Sequence, residues 1–89
     1  MYLCFAEYRI AEENRERYFD LIASLRPSHP EMCLYEGTDQ PGLFVEVWKA
    51  GTKEAADGIR EMRLSGDSPW SAVSRLASGD IHAWVFRSV

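Results

Sequence analysis

The sequence has little basic charge and no long apolar run. Ten basic residues are scattered among 14 acidic ones, and the formal net charge is −4. Affinity for a nucleic-acid backbone requires a concentrated basic surface, so we expect no nucleic-acid partner. No apolar stretch approaches the roughly 20 residues of a membrane-spanning helix, so we expect no membrane association either.

Cysteine and histidine are too sparse to indicate a disulfide framework or a metal site. Cys4 and Cys33 form no CxxC pair, and His29 and His82 are far apart in the sequence. We therefore expect reduced thiols and no bound metal. The first ten residues contain Glu7 and lack the basic start of a secretory signal, which favours a cytoplasmic location.

Aromatic residues, in contrast, are plentiful. Three Trp, four Tyr and four Phe occur among 89 residues. This length predicts one domain spanning residues 1–89. A domain of this size buries a modest share of its surface unless it associates with a partner. If one layer of helices cannot cover all the rings, some of them must pack against something else.

Periodicity and turn residues predict the order β-α-β-β-α-β. The predicted strands are 2–9, 31–37, 43–49 and 80–89, and the predicted helices are 11–26, 52–66 and 68–79. Thr52 and Ser68 are the predicted N-caps of the last two helices, which together form a split second helix. Ala55, Ile59 and Met62 are predicted to face inward. This order is typical of the ferredoxin-like α+β fold, a four-stranded antiparallel sheet with helices on one face.

Alternation along the strands sorts their side chains into two sets. The set assigned to the helix side is small to medium in size and mostly apolar: Tyr2, Cys4, Ala6, Tyr8, Met32, Leu34, Leu43, Val45, Val47, Ile81, Ala83 and Val85. The set assigned to the open face is aromatic and charged: Leu3, Phe5, Glu7, Arg9, Cys33, Tyr35, Phe44, Glu46, Trp48, His82, Trp84 and Phe86. Exposed apolar patches of this extent usually mark an interface or a ligand site. We therefore predict a homodimer that packs two open faces together.

These features resemble a known superfamily. The element order, the aromatic and charged strand that ends in Trp48, and the following helix that begins with TKEA resemble the dimeric α/β-barrel proteins. Among these, the small antibiotic-biosynthesis-monooxygenase-type domains are the most similar branch, and the resemblance spans nearly the whole chain. It implies a dimer in which two sheets face each other, with a pocket between sheet and helices or at the dimer seam. It also implies either cofactor-free oxygenation of an aromatic ligand or binding without catalysis.

Haem-degrading members of that superfamily carry three residues that this chain lacks. They have an Asn on the first strand, a Trp in the second helix and a His further along it. Here the first strand offers Glu7, Asp57 and Ile59 lie near the Trp position, and no His lies between His29 and His82. We therefore expect no haem and no other cofactor.

The candidate catalytic residues are Glu46 and His82. Glu46 among aromatic rings could take a proton from a ligand, with His82 as its acid–base partner. The alternatives are an ion pair of Glu46 with Arg9 or another cation, and a half-exposed packing role for His82. The candidate ligand-binding residues are Phe5, Arg9, Tyr35, Trp48, Trp70 and Trp84. For Trp70 the alternative is that it fills the gap between the split helices.

Three functions remain open at this point. The first is a cofactor-free oxygenase or isomerase acting on an aromatic small molecule, and the second is a binding or sensing module that uses the same pocket. The third is an accessory domain whose aromatic face serves only self-association. A cavity of roughly 300 Å³ or more would favour the first two.

Overall fold

A computed structural model describes residues 1–89, which form four strands and three α-helices. The strands are β1 (Tyr2–Arg9), β2 (Met32–Glu36), β3 (Leu43–Ala50) and β4 (His82–Arg87). The helices are α1 (Arg15–Leu25), α2 (Lys53–Leu64) and α3 (Ser71–Leu76), and 3-10 turns at Glu12–Asn14 and Arg26–Ser28 flank α1. The predicted β-α-β-β-α-β order with a split second helix is confirmed.

The strands form one antiparallel sheet in the order β2-β3-β1-β4. The helices cover one face of this sheet, where α2 contacts β1, β3 and β4. We call the uncovered side the open face. The arrangement is the predicted ferredoxin-like α+β fold. No helix is both long and apolar enough to cross a lipid bilayer.

The two halves of the split helix start differently. Thr52 caps α2 as predicted, because its Oγ1 accepts a hydrogen bond from the backbone N–H of Ala55 at 3.1 Å. Ser68, however, is not the cap of α3. Its hydroxyl oxygen accepts from the N–H of Trp70 at 3.2 Å, and its carbonyl accepts from the N–H of Ser71 at 2.9 Å. The residues from Ser68 to Trp70 therefore form a tight turn, and α3 begins only at Ser71.

The strand β3 faces the opposite way from the prediction. In the β1–β3 register Ala6 lies opposite Glu46 and Cys4 lies opposite Trp48. Directly opposed residues share a face of the sheet, so Glu46, Trp48 and also Phe44 lie beneath the helices. Their exposures are 0%, 1% and 1%. The assignment of these three residues to the open face was therefore wrong, and the residues of β3 that face the open side are Leu43, Val45, Val47 and Lys49.

The face assignments for the other three strands are confirmed. The buried residues there are Cys4, Ala6, Tyr8, Met32 and Ala83, all from the set assigned to the helix side. On α2 the inward stripe is shifted by one position at its start, because Ala56 is buried and Ala55 is exposed. Ile59 and Met62 pack against the core as predicted.

Candidate functional site

Glu46 lies at the centre of a buried cluster of hydrogen bonds beneath the helices. Nε of Arg63 donates to its Oε1 at 2.7 Å, and Nη2 of Arg63 donates to its Oε2 at 2.9 Å. The hydroxyl of Tyr8 donates to Oε2 at 2.6 Å, and the indole N–H of Trp48 donates to Oε1 at 2.9 Å. The carboxylate thus accepts four hydrogen bonds, two at each oxygen, which uses its acceptor sites fully.

The cluster continues outward through two further residues. The hydroxyls of Tyr8 and Tyr18 are 2.8 Å apart, and Nη1 of Arg63 donates to Oγ of Ser74 at 3.2 Å. Burial, followed by the negative charge of Glu46, raises the pKa of Tyr8 far above its ordinary value. Burial alone would lower the pKa of Arg63, but the hydrogen bonds and charge of Glu46 outweigh it and raise that pKa. The cluster therefore contains a charged guanidinium and neutral tyrosines that act as donors.

Small residues make room for this cluster. Ala6 pairs with Glu46 on one neighbouring strand and with Ala83 on the other, and both alanines are buried. Arg63 reaches the same region from α2, where it lies seven residues after the buried Ala56 and four after Ile59. That spacing places all three side chains of α2 on its inner face.

The sequence interpretation missed Arg63, Tyr8 and Trp48 as hydrogen-bond donors to Glu46, and it missed Tyr18 as the partner of Tyr8. A signal for Arg63 was present, because an arginine at the spacing of an inward helix stripe is a natural partner for a buried carboxylate. The proposed partner Arg9 instead donates through Nη2 to Oε1 of Gln40 at 2.8 Å.

Two of the candidate ligand-binding residues are packed into the core. The ring centroids of Trp48 and Trp70 lie 5.0 Å apart, and His29 contacts both at 5.1 Å and 5.7 Å. Each tryptophan is 1% exposed. Nε1 of Trp70 is buried and has no hydrogen-bond partner. Neither ring lies on a surface that a ligand could reach without rearrangement.

Glu46 and His82, the two candidate catalytic residues, are not brought together. His82 lies on the open side of the sheet, where its ring stacks on Trp84 with centroids 5.9 Å apart and planes 17° apart. Its partner in the β1–β4 register is Glu7. Because the sheet separates Glu46 from His82, one pocket containing Glu46, His82, Trp48 and Trp84 does not form.

The open face carries an apolar groove. Its volume is about 590 Å³, and its lining consists of Leu3, Phe5, Glu7, Val45, Trp84 and Phe86. Phe5 and Phe86 pack edge to face across it, with ring centroids 5.3 Å apart. Tyr35 lies outside this groove on β2 and is exposed. The groove therefore brings together two of the candidate ligand-binding residues, Phe5 and Trp84.

The structure offers no group of three or more His, Cys, Asp or Glu side chains that could hold a metal ion. The thiol of Cys4 is buried, and burial followed by the charge of Glu46 raises its pKa to about 11. Since the thiolate is the reactive form, Cys4 is not an activated nucleophile.

No family model matches the sequence, and no curated protein matches it. Solved structures match it closely in shape. A crystal structure of an antibiotic biosynthesis monooxygenase matches with a TM-score of 0.77 and 16% identity over 100% of this chain and 99% of that chain. A conserved protein from Methanosarcina mazei Go1 matches with a TM-score of 0.78 and 11% identity over 99% and 92% of the two chains. A NIPSNAP family protein from Agrobacterium tumefaciens str. C58 matches with a TM-score of 0.68 and 16% identity over 99% and 85%.

The class that these matches define is the ferredoxin-like fold of the antibiotic-biosynthesis-monooxygenase-type proteins. The resemblance predicted from the sequence is confirmed at this level. At identities between 11% and 16% the likeness concerns the fold, so any activity has to be argued from the groove and the cluster themselves.

Proposed function

We propose that this protein is a homodimer that packs its two open faces together and binds an aromatic or apolar small molecule in the groove at the seam. The observation that carries the proposal is the groove of about 590 Å³, in which five of six lining residues are hydrophobic. Ligand sites in proteins typically have this size and this mostly apolar lining, with few polar groups that fix orientation.

The exposed rings of the open face support association with a second copy. Tyr35, Trp84 and Phe86 are 58%, 45% and 52% exposed. Withdrawing the exposed part of one such ring from water contributes about 2 kcal/mol. Six rings in two copies then contribute on the order of 12 kcal/mol, against roughly 4–15 kcal/mol lost as translational and rotational freedom. The aliphatic residues of the same face add further apolar burial, which also favours association.

Glu46 supports the fold in this proposal and does not act on the ligand. Its oxygens are occupied by four donors, and it lies on the helix side of the sheet, away from the groove. A general base needs a free lone pair within reach of the proton that it removes. Glu46 does not offer one while the cluster is intact.

Cofactor-free oxygenation of the bound molecule is a second candidate function. The observation that favours it is the position of Glu7, which lines the groove and lies opposite His82 in the β1–β4 register. Either side chain could take the first proton from an acidic CH₂ group of a polycyclic phenol. With O₂ as the oxidant, that CH₂ becomes C=O, one oxygen atom enters the ligand, and the other leaves as water.

The dimer is tested by sedimentation equilibrium over a range of protein concentrations. We expect a dimer for the native chain and a monomer for Trp84→Glu, because a carboxylate at the centre of the seam would be buried without a partner. Leu64→Glu is the matched control, since Leu64 is 46% exposed at the end of α2, on the helix side. A native chain that stays monomeric at all concentrations contradicts the proposal.

The groove is tested by titrating polycyclic phenols against the native dimer and measuring binding by isothermal titration calorimetry. Val45→Trp fills the groove and is expected to abolish binding while leaving the dimer intact. Oxygen consumption in the same samples separates the two candidate functions, since a binding module consumes none. If no phenol binds to an intact dimer, the face serves only self-association.

A further inference from the structure

A second cavity lies on the helix side of the sheet, beside the start of β4. It is open to solvent, has a volume of about 510 Å³, and is bordered by the end of α2, by α3 and by the segment that leads into β4. Only two of its 11 lining residues are hydrophobic, and it shares no lining residue with the apolar groove. It is therefore a site with a different chemical character, and it approaches the groove only at His82, which lines this cavity and stacks on Trp84.

One face of α3 supplies the polar wall of this cavity. Ser71, Ser74 and Arg75 all line it, at the i, i+3, i+4 spacing that places side chains on one face of a helix. Nη1 of Arg75 donates to Oγ of Ser71 at 3.1 Å, and Nη1 of Arg63 donates to Oγ of Ser74 at 3.2 Å. Both serine oxygens thus already accept from a guanidinium.

Several donors of this wall have no acceptor within the protein, and those of Arg75 are exposed to solvent. Arg75 makes one hydrogen bond and no ion pair, although a guanidinium carries five N–H donors. Ser71 is 7% exposed, and its hydroxyl proton has no acceptor in the structure. The charge of Arg63 is matched by Glu46, so Arg75 is the cation on this wall whose charge has no partner.

The opposite side of the cavity adds backbone donors and one acidic side chain. Gly79 has a φ of +88°, and neither its N–H nor that of Asp80 makes a hydrogen bond. Both residues line the cavity, and the carboxylate of Asp80 is exposed. Asp80 therefore opposes an anion, while the exposed guanidinium of Arg75 and the buried hydroxyl of Ser71 attract one.

We propose that this cavity binds the oxyanion group of a small molecule, a phosphate or a carboxylate. Arg75 is the charged anchor, because charge-assisted hydrogen bonds from a guanidinium to such groups are strong and geometrically matched. Ser71 is the neutral donor beside it, and the remaining volume holds the body of the molecule. This site does not depend on the dimer or on the groove.

Isothermal titration calorimetry with inorganic phosphate and, separately, with acetate tests the proposal at constant ionic strength. We expect binding of one of these anions and a loss of about tenfold or more in affinity for Arg75→Gln. Ser71→Ala weakens binding less, and Asp80→Asn strengthens it because an opposing charge is removed. Arg26→Gln is the matched control, since Arg26 is an exposed arginine outside the cavity.

The possible outcomes distinguish a phosphorylated ligand, a carboxylate ligand and a failure of the proposal. Phosphate binding that Arg75→Gln abolishes and Arg26→Gln spares supports a phosphorylated ligand, and the same pattern with acetate supports a carboxylate. If neither anion binds to the native chain, or if both arginine variants weaken binding equally, the proposal is overturned. The Trp84→Glu variant should retain anion binding, because it changes only the open face.

Discussion

Arg63 and Glu46 form a bidentate ion pair, and both side chains are shielded from solvent. The Nε–Oε1 and Nη2–Oε2 distances are 2.7 Å and 2.9 Å, and both side chains are 0% exposed. Each charge was moved out of water at a large cost. The opposite charge compensates for it, together with the hydrogen bonds of Tyr8 and Trp48 to Glu46 and those of Arg63 to Ser74 and Trp70. Removal of either partner alone therefore leaves a buried charge without a counterpart.

The first prediction concerns this ion pair. Arg63→Met should lower the free energy of unfolding by about 3–5 kcal/mol, because Glu46 stays buried without its cation. Urea denaturation followed by circular dichroism measures the loss. Arg60→Met is the control from the same helix. The Nε of Arg60 donates to the carbonyl of Ala83 at 3.0 Å, and Arg60→Met removes only this hydrogen bond. The variant should therefore lower the free energy of unfolding by about 1 kcal/mol.

The double variant Glu46→Gln/Arg63→Met separates charge from packing. It removes both charges and keeps an amide oxygen that can accept from Tyr8 or Trp48. It should recover a substantial part of the stability lost in Arg63→Met. If it is as unstable as the single variant, the cost comes from lost packing, and the argument from an unpaired charge is wrong.

Most of the fold could be predicted from the sequence because turn residues and strand alternation are local signals. The helix cap at Thr52 and the orientations of β1, β2 and β4 follow from residues within a few positions of each other. The orientation of β3 does not. Both of its alternating sets are largely apolar, and the medium-sized Leu43, Val45 and Val47 match the helix side better by size than the set that contains Glu46. A shift of the strand by one residue moves every one of its side chains to the opposite face of the sheet.

The error at β3 has a cause that lies in another element. Glu46 is buried because Arg63, 17 residues later in the chain, lies above it. Strand alternation contains no information about such a partner, whereas the inward stripe of α2 through Ala56 and Ile59 does. The groove was predictable only in part for the same reason. Phe5 and Trp84 belong to correctly oriented strands, and Trp48 does not.

The second prediction concerns acid stability and the pair Glu36–Arg15. The two guanidinium–carboxylate hydrogen bonds are 2.6 Å and 2.8 Å long, and the N–H of Gly42 donates to Glu36 at 3.0 Å. The hydrogen bonds from Arg15 and then Gly42 lower the pKa of Glu36 from 4.5 to about 2. The pKa of Glu36 is lower in the folded chain than in the unfolded chain. The stability that the Glu36–Arg15 pair contributes is therefore present above pH 4.5 and is lost as the pH falls towards 2.

Denaturation by urea across this acid range tests the assignment. The native chain should lose stability between pH 4.5 and 2, and Glu36→Gln should lose less of it over the same interval. Glu13→Gln, an exposed carboxylate in the turn before α1, should follow the native curve. Parallel curves for the native chain and Glu36→Gln would remove Glu36 as the titrating group.

The third prediction concerns alkaline stability and the buried pair Tyr8–Tyr18. Burial raises the pKa of both phenols above the ordinary value of 10, and it raises that of the Cys4 thiol from 9 to about 11. A raised folded pKa means that the unfolded chain loses these protons first. The stability from Cys4 is therefore complete below pH 9 and declines as the pH rises through 11, whereas that from the two tyrosines is complete below pH 10 and declines above it.

Tyr18→Phe should make that alkaline decline less steep, because one group with a raised pKa is gone. Tyr35→Phe is the control, since Tyr35 is exposed on β2 and its ring is retained. Urea denaturation at several pH values above 10 supplies the comparison. Equal slopes for the native chain and Tyr18→Phe would mean that Tyr18 titrates alike in the folded and unfolded chains.

The fourth prediction compares two glycines of the same backbone conformation. Gly42 and Gly79 both have a φ of +88°, a region in which an L-residue with a Cβ is strained by about 1–2 kcal/mol. They differ in what a Cβ would meet. At Gly42 it would lie 2.8 Å from the carbonyl oxygen of Ile10, whereas at Gly79 no atom lies within 4 Å.

Gly79→Ala should therefore lose about 1–2 kcal/mol of unfolding free energy, and Gly42→Ala should lose clearly more. The clash at Gly42 involves backbone on both sides, since the N–H of Ile10 also donates to the carbonyl of Gly42 at 2.8 Å. Relief of the clash would have to break or stretch that hydrogen bond. Urea denaturation of the two variants side by side measures the difference. Equal losses would mean that the end of β1 shifts at no cost, and the close approach to Gly42 would then not constrain the sheet.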